Sequence, residues 1–341
     1  MEILSPPEVS TEQWTAKVPQ YELPDYRGEA PDAFTRRGKA WSQDFALRPW
    51  FDQENALEKV DALAANGAIS ADEERLLRQW VIDGYFVLPH AVEPAQFDLI
   101  DEYVHDLDEV WMTDRVMDGL QISGVYIDGV KRGPIHHAEV LKWPVDVRLR
   151  LRDQQTWRIH YYHPYSPAGV GLAKTPRILR LTHLLLNNDP VLLNLTTYKY
   201  SSEVALHQDL WFYHLHPANH IVGIWFACED VHPDTGPLAV YPGSQKVPMW
   251  PGFPNYPQTS YRTCHPSAHV GVEKYLAEHV QGVDRVVLPI KKGDAIFLNG
   301  LLVHDADKVK QRGARSRFSI VFHYTIPGAN KAGEVEGPFN Y

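Results

Sequence analysis

Apolar positions in the first half of the chain recur at helical spacing. Leu57, Val60, Leu63 and Ala64 fall on one helix face, and the pattern resumes with Leu76, Leu77, Trp80 and Val81. Ser70 precedes Glu73 at the spacing that lets each side chain bond the other's backbone amide, which opens the second helix. Gly84 follows the last periodic position and ends it. Tyr85-Phe86-Val87-Leu88-Pro89 has strand composition, and Pro94 then opens a third helix with Phe97, Ile100, Val104 and Leu107 on one side. A fourth helix is predicted after Pro176.

From about Val191 the pattern changes to short β-branched and aromatic runs separated by Pro, Gly, Asn and Asp. Strands are predicted at Leu192–Tyr200, Ile221–Glu229, Leu238–Tyr241, Arg285–Ile290, Ala295–Leu298 and Arg317–Thr325. Turns are predicted at Asp234-Thr235-Gly236 and Lys292-Gly293-Asp294. Helices first and strands afterwards imply an α+β fold whose β part is a sandwich or jelly roll. No linker-like stretch or internal repeat divides the chain, so residues 51–341 read as one domain, helical over about 51–190 and β over about 191–326. Residues 1–50, rich in Pro, Glu, Tyr and Trp without a steady period, read as an extended arm.

Composition narrows the function classes. A net charge of −10 supplies no positive field for nucleic acid or an anionic membrane, and no uncharged run is long enough to span a bilayer. The partner expected is therefore a small molecule. Two cysteines, Cys228 and Cys264, are too few for a disulfide framework and fit a reducing compartment. The first residues also lack a basic segment followed by an apolar one, so the expected location is cytoplasmic.

The chemistry concentrates at Ala205-Leu206-His207-Gln208-Asp209. Residues two apart on an extended chain share a face, so one metal ion could touch both His207 and Asp209. The same pair would serve equally as hydrogen-bonded partners at a strand end. Two imidazoles and one carboxylate on one side of an octahedral ion leave positions open for co-substrate and O2. His304, at the end of the apolar run Leu301-Leu302-Val303, is the candidate second imidazole. A second His-x-Asp, at His232-Pro233-Asp234, precedes Thr235-Gly236 and reads as a tight turn. Downstream, Arg315 or Arg317 at the start of the last strand could clamp a carboxylate with two parallel hydrogen bonds; either could also be a solvated surface charge.

At these residues the sequence resembles the phytanoyl-CoA dioxygenase-like branch of the Fe(II)- and 2-oxoglutarate-dependent oxygenases. The resemblance runs from about Gly84 to Tyr324. It is carried by His207-Gln208-Asp209-Leu210, Gly223-Ile224-Trp225-Phe226-Ala227, Gly236-Pro237-Leu238, Tyr241-Pro242-Gly243-Ser244-Gln245, Gly293-Asp294, and His304 with Arg317. It implies a double-stranded β-helix, a cupin-like jelly roll, with helices packed outside it. It also implies Fe(II) held by His207, Asp209 and His304, 2-oxoglutarate held by Arg317 beside Trp225, and O2 as the second co-substrate. Succinate and CO2 are the implied co-products, and the acidic Asp209 favours oxygen transfer or desaturation over halogenation. The sequence departs from the family after the distal histidine, where Asp305-Ala306-Asp307 replaces the usual small or hydroxyl residues.

The substrate is less legible. Trp211, Phe212, Tyr213, His214 and His216 follow the metal motif and would either line the barrel mouth or pack beneath it. The segment Ile122–Trp143, with adjacent His136 and His137, reads as a substrate loop or as plain surface. Two alternatives remain at this stage: a jelly-roll metal protein or redox-neutral metalloenzyme that uses no 2-oxoglutarate, and a non-catalytic binding relative.

Overall fold

The structure, a computed structural model, describes residues 48–331 except 214, 217, 249, 253–267 and 311–314. Most of the expected N-terminal arm, together with His214 and Cys264, lies outside the described residues.

The helical half begins with α1 (Ala56–Ala65) and α2 (Ala71–Asp83). The Ser70 and Glu73 side chains each bond the other's backbone, forming the expected capping box, and Gly84 takes the left-handed conformation at φ +80° that ends α2. Strand β1 (Tyr85–Leu88) follows, then α3 (Phe97–Met112), which buries Ile100, Tyr103, Leu107, Val110 and Trp111.

Sequence periodicity misses what comes next. Four short strands, β2 (Gln121–Ser123), β3 (Tyr126–Ile127), β4 (Val130–Lys131) and β5 (Ile135–His136), precede α4 (His137–Val140) and α5 (Val145–Gln154). Strand β6 (Arg158–His160) then leads to α6 (Pro167–Ala173) and α7 (Pro176–Leu186). The stretch from Ile122 to Trp143 is thus largely sheet and helix rather than a loop, and residues 51–190 are not purely helical. Strands of two or three residues are too short to show an alternating pattern of their own and exist because a neighbouring strand supplies the hydrogen bonds.

The second half holds β7 (Val191–Tyr198), β8 (Leu215–His216), β9 (Ile221–Ala227), β10 (Leu238–Val240), α8 (Ala268–His279), β11 (Val286–Val287), β12 (Ala295–Asn299), β13 (His304–Ala306), β14 (Ser319–Thr325) and β15 (Asn330–Lys331). Helix α8 corrects the expectation that helices stop at Val191; it buries Ala268, Val272 and Leu276. His232 and Asp234 do form a turn: the Asp234 amide donates to His232 Nδ1 and residues Pro233–Thr235 wind into one 3₁₀ turn.

An eight-stranded antiparallel sheet runs in the order β1-β12-β9-β14-β7-β6-β2-β5 and faces a smaller sheet, β11-β10-β13. Alternation along β9 separates two cores. Val222, Ile224 and Phe226 join Phe86, Phe297 and Phe322 beneath the helices, where Trp80, Ile100 and Tyr103 cover them. Trp225 and Ala227 point the other way and meet Leu238, Val240 and Leu288 of the small sheet. The result is an α+β fold with a jelly-roll core. No described helix is long and apolar enough to cross a membrane.

Candidate metal centre

His207 and His304 are brought together by the backbone. Each donates its amide to the other's carbonyl at 3.1 Å, an isolated antiparallel bridge that joins β13 to the segment after β7. Their rings stand 4.1 Å apart between centroids. Asp209 opens a short 3₁₀ turn, and the Leu210 amide bonds the Gly300 carbonyl at 2.8 Å, so the loop before β13 fixes the carboxylate too.

The ligand-type atoms of His207, Asp209 and His304 all lie within 4.8 Å of one another. Both Nε2 atoms stand 3.6 Å from Asp209 Oδ1. Each Nδ1 faces a backbone carbonyl two residues back, Ala205 O at 2.8 Å and Leu302 O at 3.0 Å. A neutral imidazole that donates from Nδ1 presents its Nε2 lone pair, so both rings are set as ligands for one ion.

Electrostatics agree with that assignment. Burial, reinforced by His304, pushes the His207 pKa down to about 3, so this ring is neutral at physiological pH. Burial alone would raise the Asp209 pKa; the adjacent His304 and His323 overcome it and hold the carboxyl well below the usual range. Two imidazole nitrogens and one anionic oxygen suit a divalent ion of the first transition row.

His323 on β14 is a site residue that sequence reasoning missed. Its Nε2 stands 3.1 Å from Asp209 Oδ2, and its Nδ1 meets the Tyr213 hydroxyl at 2.9 Å. The sequence places it on the strand that starts with Arg317 and at the same pleat, six positions on, which was the available signal. Opposite His323 on β9 stands Gly223, where a Cβ would meet Asp209 Oδ2 at 3.1 Å and His323 Nε2 at 3.5 Å. The absent side chain leaves room for the carboxylate.

Arg317 and Arg315 part company in the structure. Arg315 is exposed, whereas Arg317 is 2% exposed and its guanidinium lies 5.1 Å from the Trp225 ring. Arg317 Nη1 donates to the Gly236 carbonyl, while Nε is buried without a hydrogen-bond partner among the described residues. Burial draws its pKa down to about 10, which still leaves it charged at neutral pH. It forms no ion pair among the described residues. A buried cation with an idle donor is an incomplete arrangement that an incoming carboxylate would complete.

The residues after the metal motif are placed differently from one another. Trp211 is fully buried in an apolar cluster with Leu210, Leu215, Leu276 and Val303, so of the two readings given for it, lining the mouth or packing, the burial matches packing. Tyr213 is buried one layer behind Asp209, with its hydroxyl between His323 and Asn194. Phe212 meets the His207 ring edge-on at 5.7 Å. Asp305 and Asp307, the departure noted after His304, are both held by Arg285, at 2.6 and 2.5 Å. His137 is structural: it accepts from the Met117 amide and reaches the Val110 carbonyl.

The family model described as Phytanoyl-CoA dioxygenase (PhyH) matches residues 81–317. Phytanoyl-CoA dioxygenase, peroxisomal, from Bos taurus is 32% identical over 151 residues, covering 43% of this chain and 40% of the relative. Phytanoyl-CoA dioxygenase domain-containing protein 1 from Danio rerio is 27% identical over 168 residues, covering 48% and 55%. The match thus spans two fifths to about half of the length of these relatives. Among solved structures, the epimerase SnoN in complex with Fe3+, alpha ketoglutarate and nogalamycin RO superposes with TM-score 0.54 at 19% identity, over 77% of this chain and 88% of that one. EctD from S. alaskensis with 2-oxoglutarate and 5-hydroxyectoine gives TM-score 0.51 at 17% identity, over 76% of each chain. At such identities the likeness establishes the shared fold.

Proposed function

Since the chain belongs to the phytanoyl-CoA dioxygenase family, we propose that it is an Fe(II)- and 2-oxoglutarate-dependent dioxygenase that hydroxylates a C–H bond of a small molecule, releasing succinate and CO2. The observation that carries this reading is the pairing of two features on one side of the major sheet. Three ligand atoms converge within 4.8 Å, and a buried, unpaired guanidinium lies on the same face of the major sheet. A structural metal site has no use for the second feature, so the pairing favours the oxygenase over a redox-neutral metal protein.

The donor set fits ferrous iron, which His207 Nε2, His304 Nε2 and Asp209 Oδ1 would hold on one side. Iron, when bound, supplies the oxidising chemistry together with O2 and 2-oxoglutarate. The chain's own contribution is placement. Arg317 offers Nε and its outer nitrogens to the distal carboxylate of 2-oxoglutarate, and Trp225 fixes the plane of the guanidinium. The Ala205 and Leu302 carbonyls hold the Nδ1 protons of the two imidazoles, and His323 holds the carboxylate oxygen that faces away from them. No side chain is required as a general acid or base.

The decisive experiment loads the protein with Fe(II) under anaerobic conditions, adds 2-oxoglutarate and then admits O2. Slow succinate formation without any added substrate is expected. If protein shown to contain iron makes no succinate, alone or with metabolite extracts, the oxygenase reading fails.

A further inference from the structure

The three strands that extend the major sheet beyond the jelly roll, β6, β2 and β5, have two unlike faces. One face carries Ile122, Ile135 and Ile159, which pack into or against the apolar core under the helices. The other carries Gln121, Ser123, His136, Arg158 and His160, with no aliphatic side chain among them. Register and hydrogen bonds fix which way this second face points. Arg158 pairs with Tyr198 and His160 with Thr196 on β7, while Ser123 and Gln121 pair with Arg158 and His160. His160 meets the Thr196 hydroxyl at 3.1 Å and the Ser123 hydroxyl at 2.9 Å. From Thr196 the contacts continue through Asn194 at 3.0 Å, Tyr213 at 3.1 Å and His323 at 2.9 Å to Asp209 at 3.1 Å. The polar face and Asp209 are therefore joined by one chain of contacts along the same side of the sheet.

Arg158 is the unbalanced member of that face. It is half-buried, forms no ion pair among the described residues, and makes one long hydrogen bond, to the Ser202 carbonyl at 3.5 Å. Its guanidinium lies 5.8 Å from the Tyr198 ring, which orients its plane without neutralising it. An apolar chain laid along this face would strip water from the half-buried Arg158 guanidinium and the exposed His136 ring and return nothing to them. A carboxylate would satisfy the guanidinium fork with two parallel bonds, and neighbouring hydroxyl or amino groups would find partners in Gln121 and the Ser123 hydroxyl.

We propose that this face is the substrate-recognition surface and that the substrate is a short hydrophilic carboxylic acid, hydroxylated or aminated, anchored by Arg158 rather than a fatty acyl chain. The proposal rests on the oxygenase reading for its purpose, though it is a statement about binding.

The test uses the full chain loaded with redox-inactive Zn(II) and 2-oxoglutarate, so that binding is read without turnover. Melting temperature is followed against a panel of short hydroxy- and amino-carboxylic acids and, separately, a panel of medium-chain fatty acids. At least one hydrophilic acid is expected to raise it, and Arg158→Gln should bind that acid about tenfold or more weakly, with Arg158→Lys intermediate. The 2-oxoglutarate dissociation constant should stay within about twofold in both variants. Stabilisation by fatty acids alone, or by neither panel, overturns the proposal. So does a 2-oxoglutarate affinity that falls in parallel, because Arg158 would then serve the co-substrate's carboxylate. Absence of succinate from the iron-loaded wild type would sink the oxygenase reading while leaving these binding results standing.

Discussion

His323 Nε2 lies 3.1 Å from Asp209 Oδ2, while Asp209 Oδ1 faces the two imidazoles of the metal site. The carboxylate is thereby divided between tasks, one oxygen for the ion and one for the protein. The Tyr213 hydroxyl at His323 Nδ1 fixes the ring so that Nε2 points at the carboxylate. Groups that orient a metal ligand typically influence affinity by about 10- to 100-fold. His323→Ala is therefore expected to weaken Co(II) binding by roughly tenfold or more and to change the visible spectrum of the bound ion, with His323→Gln partly restoring both. An unchanged Co(II) affinity and spectrum in His323→Ala would remove this role.

Gly223 tests the same relationship from the opposite strand. A Cβ at this position would press on Asp209 Oδ2 at 3.1 Å, tighter than ordinary contact. Gly223→Ala should lower metal affinity while melting within a few degrees of the wild type, because the atoms nearest the added methyl belong to the carboxylate and His323. Metal titration and a thermal scan on the same sample distinguish this from general destabilisation.

For Arg317, replacement by Ala removes charge-assisted bonds of about 1.5–3 kcal/mol each, so the 2-oxoglutarate concentration needed for half-maximal succinate formation should rise roughly 30-fold or more. Metal should still bind. The parallel Arg315→Ala variant should resemble wild type, since Arg315 is exposed. Equal effects from the two substitutions would count against the assignment.

Asp52 predicts a pH dependence remote from the metal. Burial pushes its pKa up to about 6, against the opposing pull of the Asn219 amide and Arg48. The folded state holds this proton more tightly than the unfolded chain, whose value is near 3.8. Its stability contribution is therefore fully favourable below the unfolded value and is lost as pH rises through about 6. Asp52→Asn, which stays neutral, should be more stable than wild type at neutral pH, by at most about 3 kcal/mol, and so melt higher, with the gap closing towards about pH 4. Comparing the two melting curves across that range checks the sign, and a gap that widens on acidification contradicts it.

Cys228 is buried, and burial raises its thiol pKa far above the free value. In a Cys264→Ser background, thiol reagents should label it only as fast as the protein unfolds. Rapid labelling of folded protein would show that the core around Cys228 opens.

The sequence by itself determined what local chemistry can determine. The capping box at Ser70 and Glu73, the helix end at Gly84 and the turn at His232–Gly236 were all legible, because each depends on neighbours within a few positions. The His207–Asp209 spacing likewise placed two ligand-type side chains on one face. The tertiary structure decided what depends on distant pairing. His304 joins the site through a backbone bridge to His207 that no local pattern encodes. Arg317 rather than Arg315 turns inward because the register of the last strand buries one and exposes the other. The strands of the sheet extension, too short to carry a period, appear only when β7 offers an edge, and they bring Arg158 and His160 to the metal's side. A pleat repeats every two residues, so it can be read along one strand, whereas register is a relation between strands and exists only once they have met.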